Sequence, residues 1–453
     1  MQDLERLRRS EIGQELHDFA AELYPICRSI TGGGIRQTLA RIQQRIPLQI
    51  TEVPTGTRVF DWTVPKEWNI RDAYVKDRDG KRVVDFQRSN LHVVNYSVPF
   101  HATMPLSELK PHLFTLPEHP NWVPYRTSYY KEEWGFCLSH NQMLALEDGN
   151  YEVCIDSTLE PGSLTYGECY VSGHSGDEVL ISCHACHPSL ANDNLSALTV
   201  ATFLAQLLSG RDLHYSYRFL FLPGTIGAIT WLARNHENTE RIRHGLVLAG
   251  IGDAGPFHYK KSRRGNAEID QAVAHVLHHS AKSAEILEFS PYGYDERQYC
   301  SPGFNLPVGC LMRSVWGTFA EYHTSADNLD FIRPEQLAES LTICAAILEL
   351  LENNRRYLNL KPFCEPQLGK RDLYRSTGGE PIGAEINARF WVLNFSDGEH
   401  SLLDIAESSG LPFSAISDAS KILRSSGLLS ELVESRPGTP DAPGNNAKTL
   451  VAK

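Results

Sequence analysis

At 453 residues the chain exceeds one ordinary hydrophobic core and calls for roughly two to four domains. Its composition, 42% hydrophobic and 22% charged, is that of a soluble globular protein, and no apolar run approaches the roughly 20 residues needed to span a bilayer. The net charge of -12 opposes attraction to nucleic acid or anionic lipid, both of which need clustered Lys and Arg.

The opening stretch "MQDLERLRRSEIGQELHDFAAELYPIC" is charged and helix-periodic, so it lacks the apolar centre of a secretory signal. Ten cysteines without regular spacing read as reduced thiols, which agrees with a cytoplasmic location. Two helical patterns fill residues 1–52 and are broken by "TGGG" at 31–34. From 53 to 162 the character changes. "KRVVDF", "NLHVVNYSV" and "NYEVCID" read as short strands among turn signals such as "DRDG" and "EDGN", which predicts an inserted, mostly β domain.

From 163 to 365 strands and helices alternate. "YGECYVSG", a "HSGDE" turn and "EVLISC" predict a hairpin, followed by a helix over 195–208 that stops at Gly210. "YRFLFLP", "GLVLAGIG" and "LPVGCLMR" are short, nearly continuous apolar runs, as expected of strands covered on both faces. This pattern predicts an α/β sandwich with functional groups gathered at strand ends. Residues 376–433 carry three helical segments with a Gly turn between the last two, the layout of a winged helix. Residues 371–436 hold six Lys or Arg against ten Asp or Glu, so a protein-contacting or dimerising role is expected there rather than DNA binding. The Pro- and Gly-rich tail, 434–453, is expected to be disordered.

The densest chemistry lies in "ISCHACHPSLANDNLSALTV", where His184, Cys186, His187 and Asp193 crowd the end of a strand. Imidazole, thiolate and carboxylate are all zinc ligands. Taken alone, the cysteines are equally well core thiols, His187-Pro188 a rigid turn and Asp193 a helix cap. A second polar group, "FAEYHTSADNLDFI", tips the balance towards a site, because Glu321 and His323 stand two apart after several apolar strands. Asp253 in "GIGDAG" and the run Asp295, Glu296, Arg297 in "YDERQY" add polar groups at further strand ends.

Residues 163–350 resemble the zinc aminopeptidases with co-catalytic metals, a group that includes glutaminyl cyclases and glutamate carboxypeptidases. The whole chain is similar to an uncharacterised bacterial family that joins such a domain to an inserted β domain and a C-terminal winged helix, with "PTGTRVFDWTVPKEWNIRDAYV" carrying the insert's likeness. The resemblance implies an aminopeptidase-like (phosphorylase/hydrolase-type) three-layer α/β sandwich with a mixed sheet, formed by 1–52 and 163–365. It implies His184 as first metal ligand, Asp193 as bridging aspartate and His323 as last ligand, with Asp253 as the remaining carboxylate. One zinc is expected, with two as the alternative.

Two departures bear on activity. Where the family has Asp two residues after the first His, this chain has Cys186, and where the family has its Glu-Glu base and ligand pair, this chain has Gly224 and Thr225. Hydrolysis then needs another base, for which Glu321 and then Glu296 are the candidates, while His187 could replace a lost ligand. Asp295, Glu296 or Glu321 could also hold a substrate ammonium. The function expected is zinc-dependent hydrolysis of an amide or peptide in a small molecule or short peptide with a free amino group. A pseudo-peptidase binding a partner, or dimerising, through its winged helix and a zinc-dependent cyclase or transferase are the alternatives.

Overall fold

The computed structural model describes residues 10–281, 283–374 and 383–432, and the chain divides into two compact units, Met1–Glu352 and Asn353–Lys453. The first unit opens with helices α1 (Ser10–Leu23) and α2 (Gly33–Gln43), after which β1 (Gln49–Pro54) enters a sheet of eight strands. The "TGGG" break before α2 has a steric cause. At Gly32, φ 98°, a Cβ would lie 1.9 Å from the Trp68 carbonyl oxygen, so no other residue fits.

The chain then leaves for an insertion built on a four-stranded antiparallel sheet: β2 (Glu67–Lys76), β3 (Arg82–Asp85), β4 (Phe100–Pro105) and β5 (Asn150–Glu160), in the order β3-β2-β5-β4. Trp68, Ala73, Val75, Val153 and Ile155 give it a buried face. Its ends close on one another: Thr55 N donates to Gly162 O at 2.8 Å and Gly162 N to Thr55 Oγ1 at 3.0 Å.

Strands β6 (Ser163–Val171), β7 (Glu178–His184), β8 (Ser216–Leu222), β9 (Ile242–Leu248), β10 (Phe257–Lys260), β11 (Ala284–Leu287) and β12 (Val308–Met312) complete the large sheet. Its order is β1-β6-β8-β7-β9-β12-β10-β11. The four central strands β8, β7, β9 and β12 are parallel, and β6 and β10 join them antiparallel, so the sheet is mixed. The expected hairpin of β6 with β7 does not form. β8 lies between them, antiparallel to β6 and parallel to β7.

Parallel pairing requires a crossover, and α3 (Ala197–Leu208) supplies it from β7 to β8. α4 (Ile226–Arg234) then leads to β9 on the other flank of β7. β7 is therefore the strand at which the winding reverses, and the ends of β7, β8 and β9 open on a common crevice. All of β7 is buried, including Glu178, whose carboxylate is held by Arg218 at 2.7 Å. Further helices of the α/β part are α5 (Glu268–Ser280), α6 (Glu296–Tyr299) and α7 (Pro334–Asn353), and the insertion carries two short ones, Leu106–Leu109 and His140–Leu144.

The second unit has a three-stranded sheet of β13 (Arg356–Asn359), β14 (Asp397–Ser401) and β15 (Leu429–Glu431), in the order β14-β13-β15, with α8 (Ala384–Phe395), α9 (Leu402–Ser409) and α10 (Phe413–Ser425). The α/β domain was expected to run to 365 and the winged helix to begin at 376. The pairing of β13 with β14 and β15 corrects this, because it draws 356–359 into the C-terminal module. The tail expected to be disordered, 434–453, lies outside the described residues. All ten cysteines are free thiols, and no described helix is long and apolar enough to cross a membrane.

Candidate metal centre

β7 ends at His184, beside Leu222, the last residue of β8. The next residues cannot continue the strand, since Pro188 lacks a backbone donor and the loop is bound elsewhere. Buried Arg28 donates through Nε to the His187 carbonyl at 2.7 Å and through Nη2 to that of Pro188 at 2.8 Å. Its third contact, Nη1 to the Leu23 carbonyl at 2.7 Å, ties this loop to the end of α1.

The segment Ala191–Ser196 forms a wide, irregular turn before α3, with Asp193 and Asn194 outside helical geometry. Asp327 fixes it. Its carboxylate accepts from Asn192 N at 2.5 Å and from Asp193 N at 3.0 Å, and its backbone oxygen accepts from Ala191 N at 3.1 Å. Burial pushes the Asp327 carboxyl up to about 8 even though these backbone bonds pull the other way.

The held loop places the Asp193 carboxylate between two imidazoles. Oδ1 lies 2.7 Å from His184 Nε2, and Oδ2 lies 3.0 Å from His323 Nε2. Asp193 is 1% exposed and His184 2%, so neither charge has water to fall back on. Burial alone would raise Asp193, but the imidazoles that face it, His187 and His184 together with the hydrogen bonds from His184 and His323, outweigh it and hold the carboxyl well below the usual range. For His184 burial works downward, and Asp193 reverses it, leaving the ring above its ordinary value. His187 lies with ring centroids 4.9 Å from His184 and 5.1 Å from His323. Burial depresses it to about 3, so the imidazole is neutral at pH 7, the state in which histidine binds metal. Its Nδ1 faces Cys186 Sγ at 3.7 Å.

Among the described residues, His184, His187 and Asp193 form a group whose ligand atoms all lie within 4.8 Å of one another. Two imidazoles and one carboxylate make a donor set that suits zinc. Cys186 is less suited. Burial pushes its thiol up to about 12, and its sulfur accepts from Gly224 N at 3.3 Å.

The other residues proposed from sequence are not part of that group. Asp253 binds a structural network: Oδ2 accepts from Asn192 Nδ2 at 2.8 Å, and Oδ1 accepts from Gly255 N at 2.6 Å and Ser314 Oγ at 2.8 Å. It stands in the loop beyond β9, not at the strand end. Glu296 pairs with buried Lys260 at 2.7 Å, which also binds the Tyr292 carbonyl at 2.7 Å. Glu321 was placed by strand geometry, but 319–323 is a succession of turns, and His323 has φ 56°. A two-residue spacing therefore does not aim Glu321 beside His323.

The buried Lys260–Glu296 pair carries a stability prediction. Lys260→Met strands the Glu296 charge and is expected to cost about 3–5 kcal/mol in urea unfolding. Lys260→Met with Glu296→Leu is expected to recover most of that loss. A single variant as stable as wild type would show the pair to be energetically idle.

Among the described residues two carboxylates keep a buried oxygen without a hydrogen-bond partner, Glu296 at Oε2, whose other oxygen meets Lys260, and Asp295. Asp295 Oδ1 accepts from Thr225 N at 2.6 Å, while Oδ2 is buried without a hydrogen-bond partner. Burial raises the carboxyl to about 6, against the pull of His184. Thr225 itself has φ 63°, and its hydroxyl accepts from Arg297 Nη2 at 3.2 Å. At Gly224 a Cβ would sit 3.4 Å from Cys186 Sγ and 3.5 Å from the His184 Cβ, so this position faces the cluster but brings no side chain.

Aromatic rings wall the cluster. Tyr294 stacks on His184 at 5.1 Å and Tyr322 on His323 at 4.0 Å. The insertion adds Tyr125, edge-on to His187 at 5.2 Å and to His323 at 5.1 Å. Its backbone joins the His323 turn: Tyr125 N donates to His323 O at 2.7 Å, and Pro124 bridges Thr324.

A family model described as a domain of unknown function, DUF4910, matches residues 17–354. The chain belongs to the DUF4910 family. A winged helix-turn-helix model matches residues 355–431 of this DUF4910 protein. A protein of Clostridium acetobutylicum, named provisionally as a polysaccharide biosynthesis protein with an aminopeptidase-like domain, is 54% identical over 415 residues, 91% of this chain and 95% of that one. A C. acetobutylicum crystal structure, described provisionally as a peptidase, matches with 52% identity and a TM-score of 0.91, covering 95% of this chain and 99% of that one. A Bacillus subtilis zinc aminopeptidase matches at TM-score 0.55 and 11% identity, over 75% of this chain and 94% of that one. At such identity the likeness is one of fold. The DUF4910 chain thus combines the fold of the zinc aminopeptidases with a C-terminal winged helix.

Proposed function

We propose that this protein is a zinc-dependent amide or peptide hydrolase acting on a small or short substrate with a free amino group. The observation that carries the reading is the buried Asp193 carboxylate set between His184 and His323 at the end of β7, beside His187. His184 and Asp193 would hold the ion, which supplies, when bound, the Lewis acidity that lowers the pKa of a coordinated water towards about 7.

The chain's own residues supply the rest. Asp295 takes the place of the missing glutamate as proton acceptor, at Oδ2, from a different element than the family uses. Thr225 N–H and Arg297 orient that end of the site. Tyr294 covers the buried His184 ring, and Tyr125 and Tyr322 flank the half-buried His323, which lowers the local dielectric and strengthens the charge interactions at Asp193. Because the insertion reaches this wall through Tyr125, long polypeptides meet a crowded entrance, and short substrates are favoured.

Zinc-loaded protein is expected to release product from a panel of aminoacyl p-nitroanilides, aminoacyl amides and dipeptides, and to lose that turnover on dialysis against chelator. Metal-loaded, folded protein with no turnover across the panel would favour a binding protein that has kept the fold.

A further inference from the structure

The zinc aminopeptidase pattern relies on several carboxylates, and this chain lacks most of them: Cys186, Gly224 and Thr225 occupy three of the positions. Asp253 is engaged by Asn192, Gly255 and Ser314. Among the described residues no second group of three ligand atoms accompanies His184, His187 and Asp193, and His323 meets the far oxygen of Asp193 alone. One residue outside that pattern does converge on the site. The ligand atoms of His187, His184 and Asp193 lie within 4.8 Å of one another. Ligands of a tetrahedral zinc stand about 3.3–3.5 Å apart, given metal–ligand bonds of about 2.0–2.2 Å, so side-chain rotation is enough to close the triad.

The placement of His187 is built in. Its carbonyl and that of Pro188 are anchored by the buried Arg28 guanidinium, and its ring is set between Cys186 Sγ and the edge of Tyr125. Two histidines and one carboxylate with an open fourth position form a donor set of catalytic zinc sites. We infer that the protein holds a single divalent cation of the zinc or cobalt type on His184, His187 and Asp193, with His187 standing in for the lost carboxylates. His323 then acts as a positioning residue, holding Asp193 Oδ2.

This inference rests on the metal-dependent reading above, and its test needs no substrate. Full-length apo protein is titrated with Co2+, reading stoichiometry by mass spectrometry and coordination by visible absorption. The wild type is expected to bind one cobalt per chain with the intense visible band of a low-coordinate ion. His187→Asn is expected to weaken binding by roughly 100-fold or more and to alter the band, as His184→Asn does; loss of a partner outside the ligand set, as in His323→Asn, costs roughly 10- to 100-fold and leaves the band in place. Circular dichroism confirms that each variant is folded. Two cobalt ions per wild-type chain, or wild-type binding by His187→Asn, would overturn the inference and leave the hydrolase reading standing. A folded wild type that takes up no cobalt would remove both.

Discussion

Replacing Asp295 by asparagine is expected to lower turnover by roughly 10²- to 10⁴-fold, the usual contribution of a positioned proton acceptor, while metal content stays at the wild-type level. The substitution is a clean one. An asparagine Oδ1 can still accept from Thr225 N, as Asp295 does at 2.6 Å, so the strand end keeps its shape and only the charge goes. The sign of the pH effect follows from the environment. Burial raises the carboxyl to about 6, so it is deprotonated and able to accept a proton at pH 7 and becomes blocked as the pH falls through 6. A bound cation pulls the value lower. The acid limb of kcat/KM is therefore expected at pH 6 or below in the wild type and absent from whatever activity Asp295→Asn retains. Full activity with an unchanged pH profile would show that the proton goes elsewhere, and Glu321→Gln would be the next variant to make.

The second large effect belongs to Asp193. Both of its oxygens are committed, to His184 at 2.7 Å and to His323 at 3.0 Å, so Asp193→Asn breaks the charge balance of the whole cluster. Turnover is expected to fall to background. Zinc linkage supplies a second readout: at a concentration of 100 times Kd a ligand that binds only the native state adds about 2.7 kcal/mol of stability. Added zinc is expected to raise the melting temperature of the wild type and to leave Asp193→Asn unmoved. An equal rise in both proteins would place the ion at another site.

His184, Asp193 and His323, which the fold brings together, stood out in the sequence by their types, order and surroundings. The large sheet was less legible. A turn signal between β6 and β7 announces a hairpin, yet β8 pairs with both strands, since sheet order is decided by crossovers that no local motif encodes. The strand geometry expected at Glu321 fails for a similar reason: alternation holds only within a strand, and 319–323 is turn. His187 was visible as the second histidine of "HACHP", but the proline beside it argued equally well for a turn. The structure shows both, a turn pinned by Arg28 and an imidazole in the cluster. Asp295 was seen as a polar loop residue that could hold a substrate ammonium. Its burial, its bond to Thr225 and its unpartnered oxygen depend on contacts 70 residues apart, which spacing cannot reveal.

The most direct test is metal content by mass spectrometry on protein purified without added metal, wild type beside His184→Ala and Asp193→Ala. About one zinc per wild-type chain, lost in both folded variants, is the expected result. A folded wild type that carries no metal, and takes none up when zinc is offered, would contradict the metal centre on which the proposed activity depends.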